Sequence, residues 1–468
     1  MTPVPFWNNG YFWLAVALFL YGFIVYALWR AGKVGRDKPL SLLGPLLMVK
    51  TLRGRQLIER VARFRRGWNL FGDVGIVLAF AGMISMFALL VYGALRASSI
   101  PASQAPSPAS ALSIPGLNPL LPLGYGLLAL VVGVVLHELS HGVLARANGI
   151  RVKSLGVLFL VIPLGAFVEQ DEEDMTAATR RRRDRVAAAG VMSNFVLAVI
   201  FFLVLSAVVT TSVHPKASGV GIAAVFPGSG AANATLAAGD IVVSFNGSAT
   251  PNASALVAGL AHARPGQTVT VGWYSQATQG LTSAPVTLGA ATAYLSSERG
   301  NRTAEGQAFL GISEYPLPPQ VLSGVLGNPF TSDLQGISLR GGFPSGLTGS
   351  LLFLALPGTQ MLPLDGTVGQ FYSVSGPLAV VGAPGVFVVV NALYWLVWIN
   401  FLLGIFNALP AVPLDGSFLF RDIVGGTLKR ARPKMAQGRV DALVGGLSVL
   451  ISFTVLLLIL WEFLGPYL

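Results

Sequence analysis

The pentad His137-Glu138-Leu139-Ser140-His141 sets two imidazoles four residues apart, with a carboxylate beside the first. On a helix, side chains at that spacing share a face, so both rings can reach one ion. Glu138 lies one residue round the helix, where it can hold and deprotonate a water rather than ligate the metal. Zinc accepts such a pair at about 2.0 to 2.1 Å and needs one more protein ligand and an open position. The chain has no cysteine, so the missing ligand must be a histidine or a carboxylate. The other two histidines, His214 and His262, stand without a paired ligand and read as surface residues.

The element carrying the pentad must be a helix in a bilayer. The chain is 53% hydrophobic and 11% charged, with a mean hydropathy of +0.67, which is the composition of a membrane protein. Runs long enough to cross a hydrocarbon core of roughly 30 Å fall at residues 11–29, 74–95, 120–139, 186–209, 386–406 and 443–464, giving about six transmembrane helices. The pentad sits near the end of the third run. A segment in lipid is helical because each backbone group there needs an internal partner. The first run has no Lys or Arg ahead of it and no small-residue cleavage site behind it, so it reads as a retained anchor. The net charge of +11 comes from Lys and Arg clustered beside the runs. That is the pattern of loops held in the cytoplasm, and no nucleic-acid partner is expected.

The same bias orients the chain. Residues 33–66 carry ten Lys and Arg against two acidic residues, which assigns them to the cytoplasm. Counting onward, 98–118 fall outside, 145–185 with the Arg180-to-Arg183 run inside, 214–385 outside and 429–439 inside. All four Asn-x-Ser/Thr sequons, Asn233, Asn246, Asn252 and Asn301, lie in the segment assigned to the exterior. The third ligand should lie at the inner end of a run parallel to the third. Asp415 qualifies, because it follows the fifth run in the text Asn407-Ala408-Leu409-Pro410-Ala411-Val412-Pro413-Leu414-Asp415-Gly416. Pro410 and Pro413 end the helix, and a carboxylate just past the break can turn back to the rings. Asp365 stands in a second Pro-Leu-Asp-Gly, from Pro363 to Gly366. It falls on the outer side, with no clear run leading into it, and is set aside.

Outside, alternating apolar and polar residues between Gly, Pro and Asn suggest a small strand-rich domain at residues 216–289. Its text runs Val220-Gly221-Ile222, Pro227-Gly228-Ser229-Gly230-Ala231-Ala232, Ala238-Gly239-Asp240-Ile241-Val242 and Phe245-Asn246-Gly247. It resembles a PDZ domain of the kind found in membrane and periplasmic proteases, a module that takes a peptide as an added strand. A generic β domain is the alternative. Residues 290–385, rich in Gly, Pro and Ser, carry no assignable fold.

HELSHG in one run, Asn-x-x-Pro-x-x-Pro-Leu-Asp-Gly after a later one and a PDZ-like insert between them resemble the site-2 protease family of intramembrane metalloproteases, over about residues 124–422. Two further features agree. Ala189-Gly190-Val191-Met192-Ser193-Asn194 is similar to the family's Gly-Pro-x-x-Asn text, with Val191 in place of Pro. Residues 155–168, apolar but interrupted by Pro163 and Gly165 and too short to cross a bilayer, are similar to the family's re-entrant β hairpin, which holds substrate as a strand. An amphipathic stretch on the inner surface is the other reading.

The resemblance implies a polytopic α-helical membrane protein with a re-entrant β hairpin and an inserted, mainly-β PDZ-like domain. Residues 1–72 would hold the first transmembrane helix and a basic cytoplasmic loop, and 73–213 the core with HExxH and the hairpin. The PDZ-like extracytoplasmic domain would take 214–289, an extracytoplasmic segment of unknown fold 290–385, and the remaining core and last helix 386–468. The implied activity is hydrolysis of peptide bonds in or near transmembrane segments of single-span proteins in a lipid bilayer, after a first trimming cut. One Zn2+ per chain would sit on His137, His141 and Asp415, with Glu138 as general base and acid. Asn407 would orient substrate or donate a hydrogen bond to the transition state, although a plain helix-ending Asn explains it equally well. The site would lie near the cytoplasmic face of the cell membrane, and the PDZ-like domain outside, binding peptide termini or filtering substrates. Two other classes use the same residues, namely a zinc transporter or sensor and a non-catalytic PDZ membrane scaffold.

Overall fold

The computed structural model describes residues 10–35, 38–101, 105, 118, 120–294, 306–330, 345–358 and 362–468. Among these, six helices are long and apolar enough to cross a membrane. They are α1 (Gly10–Arg30), α2 (Arg65–Ala97), α3 (Leu123–Ala147), α4 (Arg180–Ser212), α5 (Gly382–Asn407) and α7 (Gln437–Leu464), with the shorter α6 (Asp415–Ala431) before the last. Each expected run falls on one of these helices, and the chain is an integral membrane protein. Outward positions such as Phe19, Phe23, Leu450 and Phe453 are large, apolar and exposed, as surfaces in hydrocarbon must be. Small residues set the close crossings. A Cβ added to Gly75 of α2 would lie 2.9 Å from Met192 of α4, and one on Gly133 of α3 would lie 2.7 Å from Leu403 of α5.

The chain divides into two compact units. The first, Met1–Leu112, Gly126–Val199 and Leu396–Leu468, contains a four-stranded antiparallel sheet in the order β1-β2-β3-β4. Its strands are β1 (Leu40–Leu43), β2 (Leu46–Thr51), β3 (Val152–Leu160) and β4 (Ile162–Gln170). The β3-β4 pair is the hairpin expected from residues 155–168. The β1-β2 pair comes from the basic loop, where no strand was expected, and it pairs Leu47 with Phe159 and Thr51 with Leu155.

The tip of this sheet is apolar and its base is charged. At the base, Lys50 and Glu169 form an ion pair at 3.1 Å. Burial alone would raise the Glu169 carboxyl, but hydrogen bonds from Ser154 and Lys50 outweigh it and hold the group below its ordinary range. At the tip, the Tyr21 hydroxyl of α1 lies 2.6 Å from the Pro45 carbonyl and 3.0 Å from that of Phe159. It also accepts the Leu47 N–H at 3.0 Å. Tyr21 is nine residues from the end of α1 at Arg30, roughly 13 Å along the axis. The sheet tip therefore lies beside the middle of α1.

The second unit, Ser113–Tyr125 and Ile200–Trp395, holds a six-stranded sheet in the order β9-β8-β6-β5-β10, with β7 also paired to β6. The strands are β5 (Val220–Val225), β6 (Ile241–Phe245), β7 (Ser248–Ala249), β8 (Thr268–Ser275), β9 (Gly280–Thr287) and β10 (Ile312–Glu314). Val220, Ile222, Val242, Val271, Trp273 and Val286 form its core. Asn246 and Gly247 turn the chain at φ 50° and 82°, the pair of positive angles that a two-residue hairpin requires. The edge strand β10 lies past residue 289, where the sequence pattern stops. A three-residue strand is too short to show a period. Of the sequons, Asn252 caps the helix Ala253–Ala261 by accepting the Ala255 N–H at 2.9 Å, whereas Asn301 lies outside the described residues.

Candidate metal centre

Two imidazoles on α3 and one carboxylate at the head of α6 close on a single point. Nε2 of His137 lies 3.1 Å from Oδ2 of Asp415, Nε2 of His141 lies 3.3 Å from the same oxygen, and the two Nε2 atoms are 3.3 Å apart. His137 and His141 are buried, each 7% exposed. Among the described residues these three are the group able to hold a metal ion.

Local structure explains how each of the three side chains gets there. His137 and His141 stack one turn apart on α3. Nδ1 of His141 is 2.7 Å from the Val186 carbonyl of α4. That carbonyl can only accept, so the ring's proton sits on Nδ1 and the Nε2 lone pair is free. Asp415 arrives by a turn. Helix α5 ends at Asn407, and Leu409 and Ala411 are buried with Met86 and Leu90 of α2. The Val412 N–H donates to Ser452 Oγ at 2.9 Å. The chain then folds back so tightly that a Cβ at Gly416 would lie 2.0 Å from the Ala408 carbonyl oxygen. Only glycine fits, which accounts for Gly after Asp in this text.

Two ion-pair groups steady the supporting helices. Arg183 of α4 grips Asp422, two turns along α6 from Asp415, with contacts of 3.1 and 3.3 Å. Asp73 of α2 receives Arg185 at 2.7 and 2.8 Å and Arg181 at 2.8 and 3.1 Å. The sequence marks the Arg180-to-Arg183 run only as a topology signal and not as a set of ion pairs, because charges at the ends of spans are common and their pairing depends on how helices cross.

The arrangement fits a tetrahedral metal ion. Ligands about 2.0 to 2.1 Å from zinc at tetrahedral angles stand about 3.3 Å from one another, close to the three separations measured. Asp415 Oδ2 is buried and, despite two nitrogens within reach, has no partner at hydrogen-bonding angles. Beside them opens a cavity of about 740 Å³ that Glu138, His141 and Asp415 line together with Gln170, Arg183 and Asp422. Glu138 is half-buried on that wall.

Asn407 is the last residue of α5 and half-buried. It makes no side-chain hydrogen bond among the described residues, and nothing links it to the metal group. Asp365 serves its own turn, accepting the Thr367 N–H at 2.9 Å, the Thr367 hydroxyl at 2.6 Å and the Val368 N–H at 2.7 Å. It does not join the ligands. His214 and His262 are exposed.

A carboxylate and two imidazoles gathered among bilayer-crossing helices define a membrane protein with a buried metal-binding group. Residues 125–451, well over half of the chain, match Peptidase family M50, and the chain belongs to that family, the site-2 proteases. It is also similar to an uncharacterized protein of Methanocaldococcus jannaschii, with 31% identity over 135 residues, covering 28% of this chain. That match spans 35% of the relative's length.

Proposed function

We propose that this protein is an intramembrane zinc metalloprotease that cuts peptide bonds in or near the transmembrane segments of single-span proteins. The observation that carries the reading is the closure of His137, His141 and Asp415 on one point, with separations of 3.1 to 3.3 Å, where His141 and Asp415 line the same cavity as Glu138. Bound there, zinc would act as a Lewis acid toward the scissile carbonyl and acidify water. Glu138 takes a proton from the attacking water as the new C–O bond forms, then returns it to the leaving amine as the C–N bond breaks. Water for the reaction enters through the polar cavity, whose lining includes Arg180, Asp184 and Lys429. The basic run at the start of α4 argues that this side is cytoplasmic.

A transmembrane helix hides its carbonyls in its own hydrogen bonds, so a substrate must be unwound before it is cut. Strand β4 offers a place for it. It is one of the two edge strands of its sheet, and its last residue, Gln170, lines the same cavity as Glu138. An unwound segment added to β4 would have its backbone held by an edge ladder. The β domain of the second unit is read as a PDZ-like module on the outer side that admits substrates only after a first trimming cut. Asn407 is kept as a substrate-orienting donor on the resemblance of its Asn-x-x-Pro-x-x-Pro-Leu-Asp-Gly text alone.

The test uses detergent-purified protein, wild type and Glu138→Gln, with a panel of single-span substrates and mapped cleavage sites. The expected result is cleavage within the apolar segment by wild type, and its loss in a variant that still binds one zinc. Cleavage that persists in Glu138→Gln, or zinc-dependent transport without cleavage, would overturn the reading. Deleting the β domain should release cleavage of untrimmed substrates, and unchanged selectivity would remove the filter role.

A further inference from the structure

Three residues of α4, spaced four apart on one face, meet the two imidazoles. Val186 supplies the carbonyl that receives Nδ1–H of His141. Gly190 supplies room, since a Cβ there would lie 2.3 Å from Nε2 of His137 and 2.6 Å from Nε2 of His141. Asn194 supplies an amide, with its Nδ2 3.0 Å from Nδ1 of His137. Asn194 is fully buried, and its Oδ1 meets no donor.

We propose that Asn194 is the positioning residue of His137, its Oδ1 accepting Nδ1–H and so aiming the Nε2 lone pair at the metal. This rests on the metal reading given above. Nε2 of His137 faces Asp415 and His141, so when it ligates, the ring's proton must sit on Nδ1 and needs an acceptor. The Asn194 side chain is the group within reach. Its two ends exchange places by a half-turn of the amide, and the end that fits a protonated Nδ1 is the oxygen that otherwise has no partner. A ligating histidine is ordinarily fixed in this way by a carboxylate, a carbonyl or water. Here the second imidazole would take a backbone carbonyl and the first an amide, both from α4. Gly190 and Asn194 thereby gain a physical reason for their spacing.

The experiment is zinc affinity of the full chain in detergent, read by competition with a chelator, for wild type, Asn194→Leu and Asn194→Asp. Leu keeps the branched shape, with some added bulk, and removes the acceptor, so its zinc Kd should rise by about 10- to 100-fold. Asp restores an acceptor and should bind zinc at least as tightly as wild type. If Asn194 only fills space, the order reverses, with Leu binding like wild type and Asp, a buried unpaired carboxylate, binding worse. That reversal would overturn the proposal, and so would a folded Asn194→Asp that binds ten times more weakly, even if Asn194→Leu fails to fold. A wild type that binds no zinc would instead sink the metal reading itself and this role with it.

Discussion

Replacing Gly190 with Ala tests the centre sterically and leaves every ligand in place. The new Cβ would stand 2.3 Å from Nε2 and Cε1 of His137 and 2.6 Å from Nε2 of His141, where ordinary contact begins at 3.4 Å. The rings would have to retreat by roughly 1 Å, whereas metal–ligand distances tolerate only about 0.2 Å. Helix α4 cannot yield instead. Arg185 is clamped by Asp73, and Ala188 and Val191 are fully buried against Ala79 and Met83 of α2. The loss should exceed that of a mere supporting hydrogen bond, about 10- to 100-fold. We expect zinc Kd to rise by at least about 100-fold, or about 2.7 kcal/mol. Crowding the core would itself cost the fold about 1 to 3 kcal/mol, so helicity and thermal unfolding are measured beside zinc competition. A well-folded Gly190→Ala protein that binds zinc as wild type does would refute the packing of both rings against α4.

Asp415→Asn should abolish tight zinc binding while Asp365→Asn leaves it intact, as measured by metal content after dialysis; the opposite result would move the third ligand to the second Pro-Leu-Asp-Gly. Tyr21→Phe removes the hydroxyl that serves Leu47, Pro45 and Phe159, at about 1 to 3 kcal/mol for each polar group left unsatisfied in an apolar setting. Hydrogen exchange at Leu47 should quicken, and unchanged protection would mean that α1 does not hold the sheet tip. Asp422→Asn breaks a half-exposed pair worth under about 1 kcal/mol; zinc affinity should fall only a few-fold, and less in high salt, and a loss as large as that of Asp415→Asn would show that Asp422 does more than hold α6.

Much of this fold was legible in the sequence because lipid imposes a one-dimensional rule. A bilayer-crossing segment must be helical and about twenty residues long, so the six runs could be read without knowing their neighbours. The pentad was legible for a related reason, since residues four apart on one helix meet whatever surrounds them. The turn at Asn246-Gly247 followed from backbone angles that few residues adopt.

Other features needed the tertiary structure. Strands β1 and β2 hide in a loop that looks merely basic, because β3, the strand that ties them into the sheet through β2, lies far along the chain and the pairing rewards no local period. The edge strand β10, at three residues, is too short to show a period in the sequence. Sequence offered two Pro-Leu-Asp-Gly texts and could separate them only by counting spans; in the folded chain, Asp365 is consumed by its own turn while Asp415 is folded back onto two imidazoles by Gly416. What sequence alone determined was the chemistry available, two imidazoles and a carboxylate on a membrane helix. Which distant carboxylate joins them, and which helix leaves room for the rings, was decided by helix crossings, since packing among α3, α4 and α6 depends on side chains that are neighbours only in space.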